Sequence, residues 1–347
     1  MDIIGLTICA VLCGADNWVE VAEFGEAREE WLKTFLELPN GIPSHDTLGR
    51  VFSMIDGAEF ERCFAEWVRQ LAGLTSKVIA IAGQTSEGPT NLVERYDPQT
   101  DTWTRLADKP TAVSEVSAVL LGEKIYVPGG KLADGKVTNR LEVFDPRKGS
   151  WESKAELPLA VSGYALAAYE GQMYLFGGWD GEQVVSQAWR YDPFNDEWHA
   201  VANLPSARAY ATAAEVSGKV YVMGGCDGTL DLRESLSFDP ARDLEGEPAW
   251  QKEPNLPAAC SDCSAESISG MLFVIGTNGI WQLNSPYLEW AQIPFNTIPT
   301  GQHGFSSAIS PEGYLYFVGG QDAASVLLDT LYRFRVVYTI SIPNVIK

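Results

Sequence analysis

The chain has 347 residues, 46% hydrophobic, with 11 Trp, 13 Tyr and 14 Phe, which excludes a disordered protein and is enough for two or three domains. Its net charge is −21, with 6 Lys/Arg against 13 Asp/Glu in residues 1–77 and 19 against 33 in residues 78–347. Nucleic-acid affinity rests mostly on neutralising phosphates, so a chain this acidic, with no basic stripe, argues against nucleic acid as a partner.

The first apolar run, Ile3 to Ala15, follows an acid directly, lacks a positive flank and a small-residue cleavage site, and is too short to span a bilayer. It reads as a buried helix of a cytoplasmic protein without a signal peptide or membrane segment. Phe24, Arg28, Trp31 and Phe35 then recur at the helical period, as do Phe60, Phe64, Trp67, Val68 and Leu71. Asp56, with Glu59 three residues on, resembles a capping box before the second run, and the proline- and glycine-containing stretch 38–47 between the runs reads as a loop. Residues 1–77 are therefore expected to be a small all-α domain.

After Ser76 the texture changes to short apolar runs punctuated by turn residues. Asp145, Asp192 and Asp239 open Asp-Pro turns at steps of 47, and Asp97 opens the first, 48 residues before them. A tryptophan follows each, at Trp103, Trp151, Trp198 and, after a longer path, Trp250. A strand ending in two glycines recurs as Gly129-Gly130, Gly177-Gly178, Gly224-Gly225 and Gly319-Gly320, with a degraded copy, LFVIGT, at 272–277. Self-similarity at this period marks stacked supersecondary units of about four strands each. The roles of the repeated residues are architectural: glycines for tight bends and close approach, Asp-Pro for turns, tryptophan for a flat surface between sheets.

The double glycine, the Tyr-Asp-Pro and the spaced tryptophan resemble the Kelch motif. That resemblance implies a mainly β, six-bladed Kelch β-propeller over residues 78–347, with blades near 78–113, 114–161, 162–208, 209–260, 261–301 and 302–347. Residues 1–77 are similar instead to the N-terminal domain of H-repeat-associated insertion-sequence transposases. In that family the domain runs into a strand of the type VIAIDGKT, whose Asp is a metal ligand of the DDE core. Here the stretch is VIAIAGQT (78–85), with Ala82 in place of the acid and Gln84 in place of the lysine. Two-metal phosphoryl transfer needs carboxylates, so the resemblance implies a catalytically dead domain fused to a propeller across a shared strand pattern. The first blade then lacks an opening small-residue strand, and residues 338–347 are expected to form the outer strand of the sixth blade rather than to fill that gap.

No nucleophile elbow, phosphate loop, dinucleotide fingerprint or metalloprotease motif occurs, so neither catalytic residue nor cofactor is expected. His45, His199 and His303 are too scattered for a metal site, and Cys260-Ser-Asp-Cys263 is a lone CxxC without a second ligand pair, read as two small strand or loop residues. The positions just after the double glycines, Lys131, Trp179, Asp180, Cys226, Asp227, Gln321 and Asp322, are expected on one rim of the propeller, with Arg208 and His303 at the starts of inner strands. A protein or a saccharide is the expected ligand of that rim. The enzyme alternative is a sugar mutarotase resembling the bacterial sialic-acid epimerases, using Arg208 and His303. The remaining alternative is a DNA-binding transposase relic.

Overall fold

The structure is a computed structural model that describes residues 2–12, 15–33, 36, 38, 41–53, 77–268, 270–276, 279–284, 289–293, 304–310 and 313–335. The chain divides into two compact units, one helical and N-terminal, one β and spanning Thr75–Val336.

In the helical unit, α1 (Asp2–Leu12), α2 (Trp18–Ala27), α3 (Glu29–Leu32) and α4 (His45–Ser53) surround Leu6, Ala10, Val21, Leu32 and Leu48. Asn17 caps α2, its carboxamide oxygen accepting from the Val19 and Glu20 amides at 3.1 Å each. Gly25 faces Ile42, where a methyl group would come within 2.6 Å of the isoleucine side chain. The apolar N-terminal run is thus helical, and no described helix is long and apolar enough to cross a membrane. Phe35 and the second helical run, 60–71, lie outside the described residues.

The β unit is a six-bladed propeller. Its sheets are β1 (Val78–Thr85), β2 (Gly88–Asp97) and β3 (Thr102–Arg105); β4 (Val119–Leu121) to β7 (Ser150–Lys154); β8 (Ala165–Tyr169) to β11 (Glu197–Val201); β12 (Ala209–Val216) to β15 (Trp250–Glu253); β16 (Ser264–Ile268) to β19 (Glu289–Ile293); and β20 (Ser306–Ile309) to β22 (Leu331–Arg335). Every described strand pair within a blade is antiparallel and sequential, as short connections favour. The innermost strands of the third and fourth blades are rich in small residues, ALAAY in β8 and AYATAAEV in β12, and neighbouring inner strands pack side by side around the axis. VIAIAGQT forms β1, which pairs with β2 and stands where a second strand stands in the other blades. Among the described residues the first sheet has three strands. Residues 338–347 lie outside the described residues.

Each repeat residue has a mechanical task. The tryptophans pack on the aromatic residue before the Asp-Pro, with ring centroids 5.0 Å apart for Phe144 and Trp151 and for Tyr191 and Trp198. They also hydrogen-bond to the preceding blade. The indole N–H of Trp151 donates to the Ala107 carbonyl (2.9 Å), that of Trp198 to Ala155 (2.9 Å), and that of Trp250 to Ala202 (3.0 Å). The Asp-Pro carboxylates accept backbone amides two or three residues on, as Asp145 does from Arg147 and Lys148 at 3.0 Å each. At Asp239 the same acceptor caps α5 (Pro240–Leu244), which explains the longer path to Trp250.

The first glycine of each pair is left-handed, with φ of 63° at Gly129, 62° at Gly177 and 64° at Gly224. A Cβ there would meet the carbonyl oxygen of Val161, Arg208 or Cys260 at 2.3–2.4 Å. The second glycine donates its N–H to that same carbonyl, Gly130 to Val161 and Gly178 to Arg208 at 2.8 Å, so the pair welds one blade to the next connection. Ala82 has φ of 57° and Gly83 φ of 122°, and the Gly83 N–H donates to the Val113 carbonyl at 3.0 Å. Ala82 therefore occupies the first-glycine position of the first blade. The position read as the missing metal-binding acid of a transposase is, in this fold, a left-handed turn.

Cys260 and Cys263 are disulfide-bonded, which corrects their reading as merely small strand or loop residues.

Candidate binding site at the axial mouth

A residue two or four positions before the inner strand, or at its second position, is left-handed in five of the blades: Glu115 (φ 53°), Gly163 (58°), Tyr210 (57°), Asp262 (57°) and Gly304 (64°). Their backbones are linked blade to blade. The Gly163 N–H donates to the Glu115 carbonyl (2.8 Å), Tyr210 to Gly163 (2.5 Å) and Asp262 to Tyr210 (3.1 Å). This ribbon runs around the mouth of the axis on the face carrying the loops after the double glycines, because Ser114 pairs with Lys131 and Ser162 with Trp179. Three of the five positions carry polar non-glycine side chains despite the strain of that conformation, a cost retained where surrounding structure overdetermines it.

Those side chains converge. The Glu115 carboxylate accepts from Lys131 Nζ (2.8 Å) at one oxygen, and from Ser162 Oγ (3.0 Å) and Tyr210 OH (3.0 Å) at the other. Lys131 remains partly exposed, and Ser162 is fully buried. Burial and the adjacent Glu115 carboxylate raise the Tyr210 hydroxyl well above its ordinary pKa, so it stays a protonated donor. Deeper, Glu266 on β16 accepts from Ser307 Oγ (2.6 Å), which also bonds Ser264 Oγ (2.6 Å). Burial raises the Glu266 carboxyl to about 7.

The sequence-derived candidates divide. Lys131 is part of the cluster, and Trp179 flanks it through its bridge to Ser162. Asp180, Asp227 and Asp322 stand at loop tips, each carboxylate holding its own turn. Asp180 accepts from Glu182 and Gln183 at 2.8 Å each, Asp227 from Thr229 and Leu230 at 2.8 Å each, and Asp322 from Ala324 at 2.8 Å. Cys226 bridges Asp231 across its loop and Gln321 bridges Leu327 across the corresponding one. Arg208 is the correction: it has no exposed surface, and its guanidinium bonds Glu234 Oε2 (2.6 Å), Ser206 Oγ (2.8 Å) and the Gly224 carbonyl (3.2 Å). It anchors one blade to the next and offers nothing to a ligand. His303 lies outside the described residues. Glu115, Ser162, Tyr210 and Asp262 were not singled out from sequence. Their signal was the repeat column itself, in which the equivalents are Gly163 and Gly304.

A family profile described as the KLHDC2/KLHL20/DRC7 Kelch-repeats domain matches residues 70–276, and one described as DDE_Tnp_1-associated matches residues 1–68. Putative transposase YncI of Escherichia coli O157:H7 is 48% identical over 88 residues, 25% of this chain and 23% of that protein. The H repeat-associated putative transposase YhhI of E. coli strain K12 is 47% identical over 85 residues, 24% of this chain and 22% of that protein. The chain thus spans about a quarter of the length of the curated relatives it matches. A solved structure titled "Structure of YjhT" superposes with a TM-score of 0.63 at 16% identity, covering 75% of this chain and 94% of that one, a likeness of fold.

Proposed function

Since the chain belongs to the KLHDC2/KLHL20/DRC7 Kelch-repeats family and carries a transposase-associated domain before its propeller, we propose that the propeller is a non-catalytic binding platform. Its partner is a protein that seats a basic segment on the axial mouth. The observation that carries this reading is the convergence of Glu115, Lys131, Ser162 and Tyr210 from three blades on one polar cluster. The loops that follow the double glycines carry Asp134, Asp180, Glu182, Asp227, Asp231 and Asp322 against Lys131 and Lys136, and Asp262 lies on the mouth ribbon. A cationic partner is complementary to that field. Exposed Leu230 and Val326 on the same loops supply apolar contact.

Binding of a fluorescent Lys/Arg-rich peptide to the full chain at physiological salt tests this. Glu115→Gln combined with Tyr210→Phe leaves Lys131 uncompensated, and the expected result is binding weakened roughly tenfold or more. Asp192→Asn, on the opposite face, is expected to bind as the parent does. Equal affinities for all three proteins would reduce the interaction to bulk charge and sink the reading.

A saccharide is the second reading, favoured by the Ser162 and Tyr210 hydroxyls beside a carboxylate. Competition of a free sugar with the peptide would support it.

A further inference from the structure

We infer that Cys260 and Cys263 form a reversible thiol–disulfide exchange site, with low-molecular-weight thiols and disulfides as co-reactants, built into the connection between the fourth and fifth blades. The pair is bonded with Cα atoms 5.9 Å apart, inside the range that a disulfide allows. It closes a ring of four residues and ties together no distant elements, so as a cross-link it constrains the unfolded chain little. Both cysteines are half-buried and flank an exposed Asp262, within reach of a small thiol.

What the bond does constrain is the mouth. Cys260 holds the place that Arg208 holds one blade earlier, its carbonyl accepting the Gly225 N–H at 2.7 Å as that of Arg208 accepts Gly178. Arg208 is fixed there by its guanidinium bonds to Glu234 and Gly224; Cys260 is fixed by a covalent ring. Inside that ring is Asp262, the left-handed mouth residue whose N–H donates to Tyr210. Opening the bond removes the clamp from that one residue and its ribbon of hydrogen bonds.

The surroundings leave room for the open form. The sulfurs lie over Gly276, where a Cβ would come within 2.8 Å of Cys263 Sγ and 3.2 Å of Cys260 Sγ. A cavity of about 20 Å³ lined by Pro257, Val274, Gly276 and Trp281 adjoins both cysteines. On reduction the sulfurs separate from bonding distance to van der Waals contact, and this space lies directly beside them.

The exchange balances in two steps. An external thiolate attacks one sulfur, forming a mixed disulfide and releasing the other cysteine, which takes a proton. A second external thiolate attacks the external sulfur of that mixed disulfide, expelling the bound cysteine, which takes the second proton, and the two external thiols leave joined as one disulfide. Two thiols are oxidised, and one protein disulfide is reduced by two electrons and two protons; an external disulfide drives the reverse.

The test equilibrates the full chain in graded mixtures of reduced and oxidised glutathione, then alkylates it and resolves each cysteine by peptide mass spectrometry. The expected result is reversible conversion of Cys260–Cys263 between disulfide and dithiol while the protein stays folded, with Cys226 alkylated throughout. Hydrogen exchange on the same samples should show the Asp262 and Gly225 amides exchanging roughly tenfold faster in the dithiol form. Cys260→Ser with Cys263→Ser should exchange fast in both buffers, and Cys226→Ser should still switch. A pair that stays bonded, or stays reduced, across the whole series overturns the inference, as does conversion without any change at Asp262. Neither readout needs a partner, so failure here is separable from failure of the binding reading.

Discussion

Gly177→Ala probes the weld between blades. At φ of 62° an L side chain is strained, and its Cβ would lie 2.4 Å from the Arg208 carbonyl oxygen, 3.0 Å from Leu204 Cδ1 and 3.1 Å from the Val185 carbonyl. None of these neighbours can yield easily. The Arg208 carbonyl accepts from Gly178, and its side chain is pinned by Glu234. The left-handed conformation costs about 1–2 kcal/mol, partly offset by about 0.4–1 kcal/mol from the stiffer unfolded chain. Forcing a methyl into a filled space adds about 1–3 kcal/mol. The expected loss is therefore about 2–4 kcal/mol, read from the urea midpoint by tryptophan fluorescence at unchanged slope. Gly171→Ala is the control: φ is 74° but no atom lies within 4 Å of the added Cβ, so only the conformational part, about 1 kcal/mol or less, should appear. If Gly177→Ala costs no more than Gly171→Ala, the close-approach account of the double glycine is wrong.

Ala82→Gly restores the first glycine in the one described blade that lacks it, and should stabilise the protein by up to about 1 kcal/mol in the same assay. Lys109 and Glu142 form an ion pair with 1% and 2% of their side-chain surfaces exposed, so Lys109→Met should cost about 3–5 kcal/mol by stranding the carboxylate. Adding Glu142→Leu to it should recover most of that loss. Glu266 titrates near 7 in the folded protein because burial disfavours its charge, and well below that when unfolded. Its contribution to stability is complete below its unfolded pKa and is lost as pH rises through about 7. Glu266→Gln should therefore gain up to about 3 kcal/mol over the parent at pH 8 and nothing at pH 4, measured by paired urea titrations.

The propeller was legible because its repeat residues do the same mechanical work in every blade. A glycine that must approach a carbonyl, or an aspartate that must hold a turn, leaves the same letter at the same step. The departures were harder. Ala82 could be seen as an acid lost from one family's strand, but its meaning as a left-handed turn needed the register of β1 against Val113. Arg208 follows Leu-Pro as a rim residue would, and nothing in its spacing says that its side chain turns inward to Glu234. The mouth cluster was illegible because its members lie 47 and 95 residues from Glu115 and converge only when the blades close. The disulfide was hidden by a sound rule, that a lone CxxC makes no framework; this one holds a single loop.

The most direct test of the binding account is a hydrogen-exchange footprint of the full chain with and without the Lys/Arg-rich peptide. Protection confined to the segments around Ser114–Glu115, Lys131, Ser162–Gly163, Tyr210, Asp227–Asp231 and Asp262 is the predicted result. Protection of the Asp145 and Asp192 turns on the opposite face, or of the helical unit alone, would contradict it.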